Sequence, residues 1–236
     1  MPRKPRVYMA GVSCHVIQRG NNRQSCFFAE QDYQFYLECL NDACKKYKVA
    51  LHAYVLMTNH VHLLMTPERA DGISSVMQSI GRRYVQYINY EYKRSGTLWE
   101  GRHKSSLVSV EQYLFKCYRY IEMNPVRASM VDHPADYQWS SYRANAYGER
   151  SRIVRPHDLY MSLGNDLNVR LETYREFFIT ELDKQDVHDI RQAARFSLPL
   201  GDSRFKEEVE RALNIKLGYA KRGRPVVEEE VAVYFI

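Results

Sequence analysis

The sequence predicts an α+β fold in which helices cover an antiparallel sheet. Two strand-like apolar runs, 51–57 and 61–66, are separated only by a short polar turn, which is typical of a β-hairpin. The segments on either side of this hairpin, 30–48 and 72–93, repeat their apolar residues with a helical period. Further strand-like segments precede the first of these helices and follow the second.

The first half of the predicted fold is a strand, a helix and the hairpin. Residues 7–18 alternate between polar and apolar types from Val12 onward, which indicates a strand. Residues 19–23 (Arg-Gly-Asn-Asn-Arg) end that strand, because glycine and asparagine favour turns. The helix over 30–48 then presents an apolar stripe of Tyr33, Tyr36, Leu37, Leu40, Ala43, Cys44 and Tyr47.

The second half is a helix, a strand and another helix. The helix over 72–93 presents a stripe of Ile73, Val76, Met77, Ile80, Tyr84 and Tyr87. A further strand is predicted at 105–110. The next helix begins near Glu111 and must end by Asn124, because the residue before a proline is disfavoured in helical geometry.

The order strand, helix, hairpin, helix, strand, helix matches a ferredoxin-like, or split βαβ, sandwich. Beyond Tyr147 a linker is predicted at 149–152, and helices are predicted near 170–182, 187–194 and 203–213. We therefore expect a catalytic or binding domain over 1–148 and an auxiliary, mainly helical region over 149–236.

Composition limits the class of protein. The chain has 236 residues, a formal net charge of +6, 45% apolar residues and 26% charged residues, which excludes disordered, collagenous and coiled-coil proteins. No segment approaches the ~18 apolar residues of a membrane span. Residues 1–6 are not followed by the apolar core of a signal peptide, so we expect a cytosolic protein.

The cysteines and the aromatic residues add two weaker indications. The five cysteines are odd in number and form no Cys-x-x-Cys pair, so we expect buried free thiols. The chain has 19 tyrosines against 9 phenylalanines. Together with the cationic excess, these phenols suggest a nucleic-acid partner, through base stacking and phosphate neutralisation.

The sharpest local feature is the pair His60 and His62. Residues two apart in a strand point to the same face, so we expect the two imidazoles to project side by side, with Val61 buried behind them. Neutral imidazoles in this arrangement can bind one divalent ion. The alternative is that they are polar residues on the solvated face of a half-buried strand.

The second candidate feature lies on the helix before Pro125. Tyr120 and Asn124 are four residues apart, on one helical face. A phenol is a competent nucleophile only if a metal or a base offsets its pKa of about 10, and the Asn124 amide oxygen could serve that metal as a third ligand. The alternative is that Tyr120 only packs. Tyr118 lies about 200° around the helix, so at most one of the two phenols faces a site.

Basic residues flank these candidates. Between 82 and 104, six basic residues are opposed by only two acidic ones, which allows either phosphate contact or a solvated helix face. Arg19 and Arg23 form a cationic turn that could hold a single strand. The DNA-contact candidates in the core are Arg19, Arg23, Arg82, Arg83, Arg102, Lys104 and Arg127.

The tail provides two further DNA-contact candidates, Arg222 and Arg224. The tract Arg-Gly-Arg-Pro over 222–225 resembles an AT-hook core, whose arginines enter a narrow minor groove. General attraction to phosphates is the alternative.

Together, these blocks resemble the single-tyrosine HUH transposases, and most closely the branch of REP-associated tyrosine transposases. The resemblance rests on His60-Val61-His62 and on Tyr120-x-x-x-Asn124-Pro125-Val126-Arg127-Ala128. Three surrounding blocks agree and occur in the family's order: His-Val-x-x-Arg-Gly-Asn-Asn-Arg at 15–23, Val-Leu-Met-Thr-Asn at 55–59, and Leu-Trp-Glu-Gly-Arg-x-Lys-Ser at 98–105.

The resemblance implies a function residue by residue. His60 and His62 would bind Mg²⁺ or Mn²⁺, and manganese should support activity at least as well as magnesium. Tyr120 would attack a DNA phosphorus and leave a 5′-phosphotyrosine and a free 3′-hydroxyl. The wider group of insertion-sequence transposases has a Gln metal ligand where this chain has the shorter amide of Asn124, so the resemblance implies Asn124 as the third ligand. The substrate would be a palindromic, REP-type DNA hairpin with a single-stranded flank, and the protein would act as a monomer or a homodimer.

Two alternatives stay open. A non-catalytic nucleic-acid-binding protein could keep the fold and the basic surface without doing chemistry. A metal-dependent hydrolase could use water as the nucleophile in place of Tyr120, and it would cleave DNA without forming a covalent adduct.

Overall fold

The computed structural model describes residues 6–217. Within this range one antiparallel sheet contains β1 (Cys14–Arg19), β2 (Val49–Met57), β3 (His60–Pro67) and β4 (Lys104–Leu107). The strand order is β2-β3-β1-β4, and each pairing is antiparallel. β1 therefore lies between the hairpin and β4, which confirms the predicted α+β sandwich.

Two helices cover one face of the sheet. α1 (Glu30–Tyr47) and α2 (Gly72–Glu91) pack against each other and against alternate strand residues such as Val16, Leu56 and Leu63. Their contact residues are the apolar stripes that the helical period predicts. Trp99 is buried beside Tyr84 and belongs to this same core.

Helices from the rest of the chain cover the opposite face. α3 packs on β2 and β3. The bounds are α3 Val110–Glu122, α4 Asn124–Arg127, α5 Tyr142–Tyr147, α6 Asp158–Met161, α7 Leu167–Glu176, α8 Lys184–Phe196 and α9 Ser203–Leu213.

Helices α7 and α8 share the apolar core of the second sheet face. Tyr174 of α7 and Ile190 of α8 are fully buried in one cluster with Val55 and Leu64 of the sheet. Leu200 also pairs its backbone with Leu107 at the end of β4. The division of the chain at residues 148 and 149 stays a prediction, but the helices after it are not packed separately from the sheet.

The structure adjusts some predicted element ends. The first strand begins at Cys14 rather than near residue 7. Its backbone pairing starts at Cys14, which lies opposite Met65 of β3 and Leu107 of β4. The predicted end of the helix by Asn124 is confirmed, since α3 ends at Glu122. A short helical turn then starts at Asn124, with a proline in its first turn, where no backbone N–H is needed.

Two compositional predictions can be compared with the structure. All five cysteines are buried and free, as expected. Among residues 6–217, no helix is long and apolar enough to cross a membrane.

Candidate active site

The two predicted histidines lie on the sheet face that α3 covers. β3 places His62 opposite Ile17 of β1 and Val55 of β2, in the middle of the sheet, so this imidazole is buried. His60 begins the strand and is half-buried. The two ring centroids lie 5.0 Å apart. Val61 points into the core on the other face, as the alternation of a strand requires.

Hydrogen bonds at the Nδ1 atoms decide which ring nitrogens are free. His60 Nδ1 lies 2.7 Å from the Asn59 Oδ1 atom. An amide oxygen only accepts, so His60 Nδ1 donates and its Nε2 atom keeps a free lone pair. His62 Nδ1 lies 2.9 Å from Nε2 of His15, a fully buried residue on β1.

The electrostatic environment keeps these imidazoles neutral. Burial, together with the charge of Arg19, lowers the pKa of His60 to about 4. Burial lowers the pKa of His62 well below its ordinary value, and the neighbouring His15 and His60 act in the same direction. A histidine must be neutral to ligate a metal, so both rings have the required charge state at neutral pH.

Tyr120 faces the histidines from α3. Its buried ring meets His62 edge-on, with the centroids 5.7 Å apart, and meets His15 in the same manner at 5.8 Å. Tyr118 points elsewhere and packs edge-on against Tyr174. Only one of the two phenols therefore faces the site, in agreement with the helical geometry.

The turn after α3 holds Tyr120 from the other side. Asn124 Nδ2 donates to the Tyr120 carbonyl oxygen at 3.2 Å, and Arg127 Nη2 donates to the same oxygen at 2.7 Å. The Arg127 guanidinium also lies 4.1 Å from the centroid of the Tyr120 ring, which is within cation–π distance. This short turn thus contacts both the backbone and the ring of the tyrosine.

These side chains line one cavity of about 720 Å³. His60, His62, Tyr120 and Asn124 all line it. Its wall also carries six cationic side chains and one acidic side chain, Glu100. The cationic residues are Arg19, Arg23, Arg102, Lys104, Arg191 and Arg195. A wall of this composition attracts an anionic, phosphate-bearing ligand.

Other predicted DNA contacts lie away from this cavity. Arg82 and Arg83 are exposed on α2, on the opposite side of the sheet, and Arg83 pairs with Asp42 at 3.0 Å. Arg222 and Arg224 fall outside the described residues.

Three residues of the site were missed by the sequence analysis. His15 lies behind His62, and Arg191 and Arg195 of α8 line the cavity. The four-residue spacing of the two arginines indicates a shared helical face, but nothing in the sequence connects that face with the histidines. The partnership of His15 with His62 depends on strand register.

The side chains at the cavity fit a divalent cation that takes most of its ligands from water and substrate. Among the described residues, no group of three or more His, Cys, Asp and Glu side chains is placed to hold a metal. His60 presents a free Nε2 atom, and the Asn124 amide lines the same cavity. Mg²⁺ prefers oxygen ligands, retains several waters and binds substrate phosphates, so water and phosphate oxygens would complete a shell that two imidazoles and one amide begin.

Comparisons with known proteins identify a family and a similar fold. A family model described as IS200-like transposase matches residues 8–124, about half of the chain. The fold is similar to that of a REP-associated tyrosine transposase bound to a REP hairpin, at 20% identity and a TM-score of 0.55, covering 71% of this chain and 99% of that chain.

A second similar structure is from Deinococcus radiodurans R1 and is described as a transposase. It has 22% identity and a TM-score of 0.36, and the match covers 50% of this chain and 98% of that one. No curated protein matches the chain.

Proposed function

The chain belongs to the family of IS200-like transposases, which cleave and rejoin DNA, and we propose that it does so through a covalent 5′-phosphotyrosine at Tyr120. The observation that carries this proposal is the meeting of three side chains at one cavity. Tyr120 lies on a helix and His60 and His62 lie on a strand, yet all three line the same cationic cavity.

The proposed step exchanges one phosphodiester for another. The Tyr120 phenol loses its proton and its oxygen forms a bond to the scissile phosphorus. The bond from phosphorus to the 3′ oxygen breaks, and that oxygen leaves as a 3′-hydroxyl after taking up a proton. Because the number of phosphoester bonds is conserved, the 3′-hydroxyl can reverse the reaction and join strands without a nucleotide cofactor.

The residues around Tyr120 would set the geometry of attack. His60 and His62, with Asn124 beside them, would hold Mg²⁺ or Mn²⁺ next to the phenol. When bound, the cation polarises the scissile phosphate and aligns it for attack. Arg127 restrains the Tyr120 ring and carbonyl, which reduces the freedom that must be lost to reach an attack geometry.

The substrate we propose is single-stranded DNA beside a REP-type hairpin. The fold resembles a transposase bound to a REP hairpin, and the cationic cavity wall matches the phosphates of a strand leading to Tyr120. Residues 1–148 would form the catalytic domain. Residues 149–236 would be an auxiliary region that also contacts the DNA, since Arg191 and Arg195 of α8 line the cavity.

A covalent-trapping experiment tests the proposal. A library of single-stranded hairpins with randomised flanks is labelled at the 3′ end, incubated with protein and Mn²⁺, and resolved on a denaturing protein gel. We expect a labelled protein band, because the 3′ fragment stays attached to the tyrosine. The same library labelled at the 5′ end should give released DNA and no labelled protein.

Variants separate the proposal from its alternatives. Tyr120→Phe should bind the hairpins selected by the wild type and form no adduct, and His60→Ala or removal of the metal with EDTA should also abolish the adduct. Efficient cleavage by Tyr120→Phe would indicate a hydrolase that uses water. Hairpin binding by the wild type without cleavage would indicate a binding protein.

A further inference from the structure

His15 is a buried histidine that begins the 15–23 block, but neither that block nor the proposed reaction gives it a role. It lies on β1 and has no exposed surface, and its ring lies edge to edge with the His62 ring, with the centroids 5.1 Å apart and the planes 17° from parallel. Its Nε2 atom lies 2.9 Å from His62 Nδ1. We propose that His15 is a positioning residue that holds His62 in the tautomer with an unprotonated Nε2 atom; this inference rests on the proposed function.

The hydrogen bond between the two rings can be made in two ways. If His62 donates from Nδ1 to His15, the His62 Nε2 atom has a free lone pair and can ligate a cation. If His15 donates from Nε2 to His62, then His62 carries its proton on Nε2 and cannot ligate. The direction of this one bond therefore decides whether the buried histidine of the pair is a metal ligand.

The position that His15 occupies is the usual position of an acceptor for a metal-binding histidine. Such histidines donate their second ring N–H to a carboxylate, a carbonyl oxygen or water, which fixes the tautomer and the ring orientation. In the described part of the chain, the only side chain that hydrogen bonds to His62 is His15. His60 has an oxygen acceptor of this kind, since its Nδ1 atom donates to the side-chain amide oxygen Oδ1 of Asn59.

The bond to His62 is the one hydrogen bond that the His15 ring makes among the described residues. A neutral His15 that accepts at Nε2 carries its own proton on Nδ1. Within residues 6–217 that Nδ1 atom is buried and has no hydrogen-bond partner. A bond donated by His62 therefore places the His15 proton on a nitrogen that no described residue contacts.

Three substitutions at position 15 distinguish the hydrogen-bond acceptor of the His15 side chain from the space that the side chain fills. Gln can place an amide oxygen near the former Nε2 atom, Asn carries the same amide on a chain too short to reach it, and Phe fills the space without an acceptor. We expect His15→Gln to retain Mn²⁺ affinity within about threefold of the wild type, and His15→Phe and His15→Asn to lose about 10- to 100-fold, as for other partners of ligating histidines.

Two readouts are made on the full-length protein. Mn²⁺ affinity is measured from the electron paramagnetic resonance signal of the free ion. The tautomer is measured from the ¹⁵N resonances of the His62 ring with and without Mg²⁺, because protonated and bare ring nitrogens resonate at separate frequencies. We expect a protonated Nδ1 atom in the Mg²⁺-loaded wild type and in His15→Gln, and a population protonated at Nε2 in metal-free His15→Phe.

Several outcomes would overturn the proposal. Wild-type Mn²⁺ affinity in a folded His15→Phe variant would do so and leave the proposed function intact. An equal loss in His15→Gln and His15→Phe, with no change of the His62 tautomer, would show a purely structural role. If the wild type bound no Mn²⁺ even with hairpin DNA present, both this inference and the metal part of the proposed function would be wrong. Adduct formation at Tyr120 is measured separately.

Discussion

Tyr120 is oriented through its ring and its carbonyl oxygen. His15 and His62 contact the ring edge-on, and Arg127 lies over it at 4.1 Å. Asn124 and Arg127 both donate to the carbonyl oxygen. A side chain held in this way loses little conformational freedom when it reacts, which favours catalysis by orientation.

Replacing Arg127 with methionine tests this restraint. Met keeps most of the side-chain length but removes the charged donor and the cation–π contact. A hydrogen bond from a charged group contributes about 1.5–3 kcal/mol, and about 1.4 kcal/mol corresponds to a tenfold change in rate. We expect the single-turnover rate of adduct formation at saturating DNA to fall by about 10- to 100-fold.

Arg143 provides a matched control for this variant. Its guanidinium also donates to a backbone carbonyl, that of Ala135 at 2.6 Å, and it does not line the cavity. Arg143→Met should therefore reduce stability while leaving the rate of adduct formation unchanged. Equal rates for Arg127→Met and the wild type would show that the restraint on Tyr120 does not contribute to the reaction.

The sequence allowed part of the site to be predicted at the level of residues. The two-residue spacing of His60 and His62 and the four-residue spacing of Tyr120 and Asn124 are local, so strand and helix geometry are enough to group each pair. His15 lies 47 positions from His62. Its contact follows from the register of β1 on β3, which no local pattern encodes.

At the scale of elements, α8 brings the C-terminal region to the cavity. It packs beside β1, β4 and α3, and its residues Arg191 and Arg195 lie one helical turn apart on the cavity wall. This placement depends on tertiary packing. A hydrophobic period predicts that a helix exists, but it does not specify which part of the sheet the helix covers.

Replacing both α8 arginines with glutamine should weaken DNA binding. If each contacts one phosphate of a single strand, the slope of log affinity against log salt should decrease in magnitude by about 0.7 per lost contact. Affinity is measured by fluorescence anisotropy over a series of salt concentrations. Arg82→Gln, on the exposed face of α2, should leave affinity and slope unchanged. A larger effect of Arg82→Gln than of the α8 substitutions would mean that the DNA binds on the side of the sheet that α2 covers, and not at the cavity.

A second link joins α3, the helix that carries Tyr120, to the C-terminal region. Glu122 of α3 is fully buried and accepts hydrogen bonds from Ser141, from Asn145 of α5 and from Tyr174 of α7, at 2.5, 2.8 and 2.6 Å. Burial outweighs these donors and raises the pKa of Glu122 to about 7. The network ties two helices, α5 with its preceding residue Ser141 and α7, to the helix that carries Tyr120.

Tyr174→Phe removes one donor from this network. It leaves a buried carboxylate oxygen of Glu122 without that partner, which costs about 1–3 kcal/mol. We expect this loss in the free energy of unfolding, measured by urea denaturation. The control is Tyr90→Phe at an exposed position, which should change it by less than about 0.5 kcal/mol. Equal stabilities of the two variants would mean that Tyr174 does not contribute to holding Glu122.

For the whole molecule, buried histidines set the response to pH. Burial lowers the pKa of four of them to about 3 or 4; these are His15, His52, His60 and His103. The unfolded chain therefore binds more protons between pH 4 and 6.5, so the free energy of unfolding rises with pH through this window. Glu122 has the opposite effect on the free energy of unfolding, because below its raised pKa the folded chain keeps a proton that the unfolded chain has lost. It is one group, whereas four histidines act in the other direction.

His52→Gln tests this pH response away from the cavity. His52 bonds to the Arg155 carbonyl oxygen and to Thr66. Its removal should lower the slope of unfolding free energy against pH by up to about 1.4 kcal/mol per pH unit between pH 4 and 6.5. Urea denaturation at several pH values measures both slopes. A wild-type stability that falls as pH rises through this window would contradict the assignment of neutral buried histidines.

Peptide mapping of the covalent adduct shows whether Tyr120 is the residue that bonds to DNA. The adduct is digested with nuclease and trypsin, which cuts after Arg119 and Arg127, and the products are analysed by tandem mass spectrometry. We expect a nucleotide linked through its 5′-phosphate to Tyr120 in the peptide 120–127. A nucleotide on another residue would contradict the proposal that Tyr120 is the nucleophile. DNA cleavage at full rate with peptide 120–127 unmodified throughout the reaction would contradict it as well.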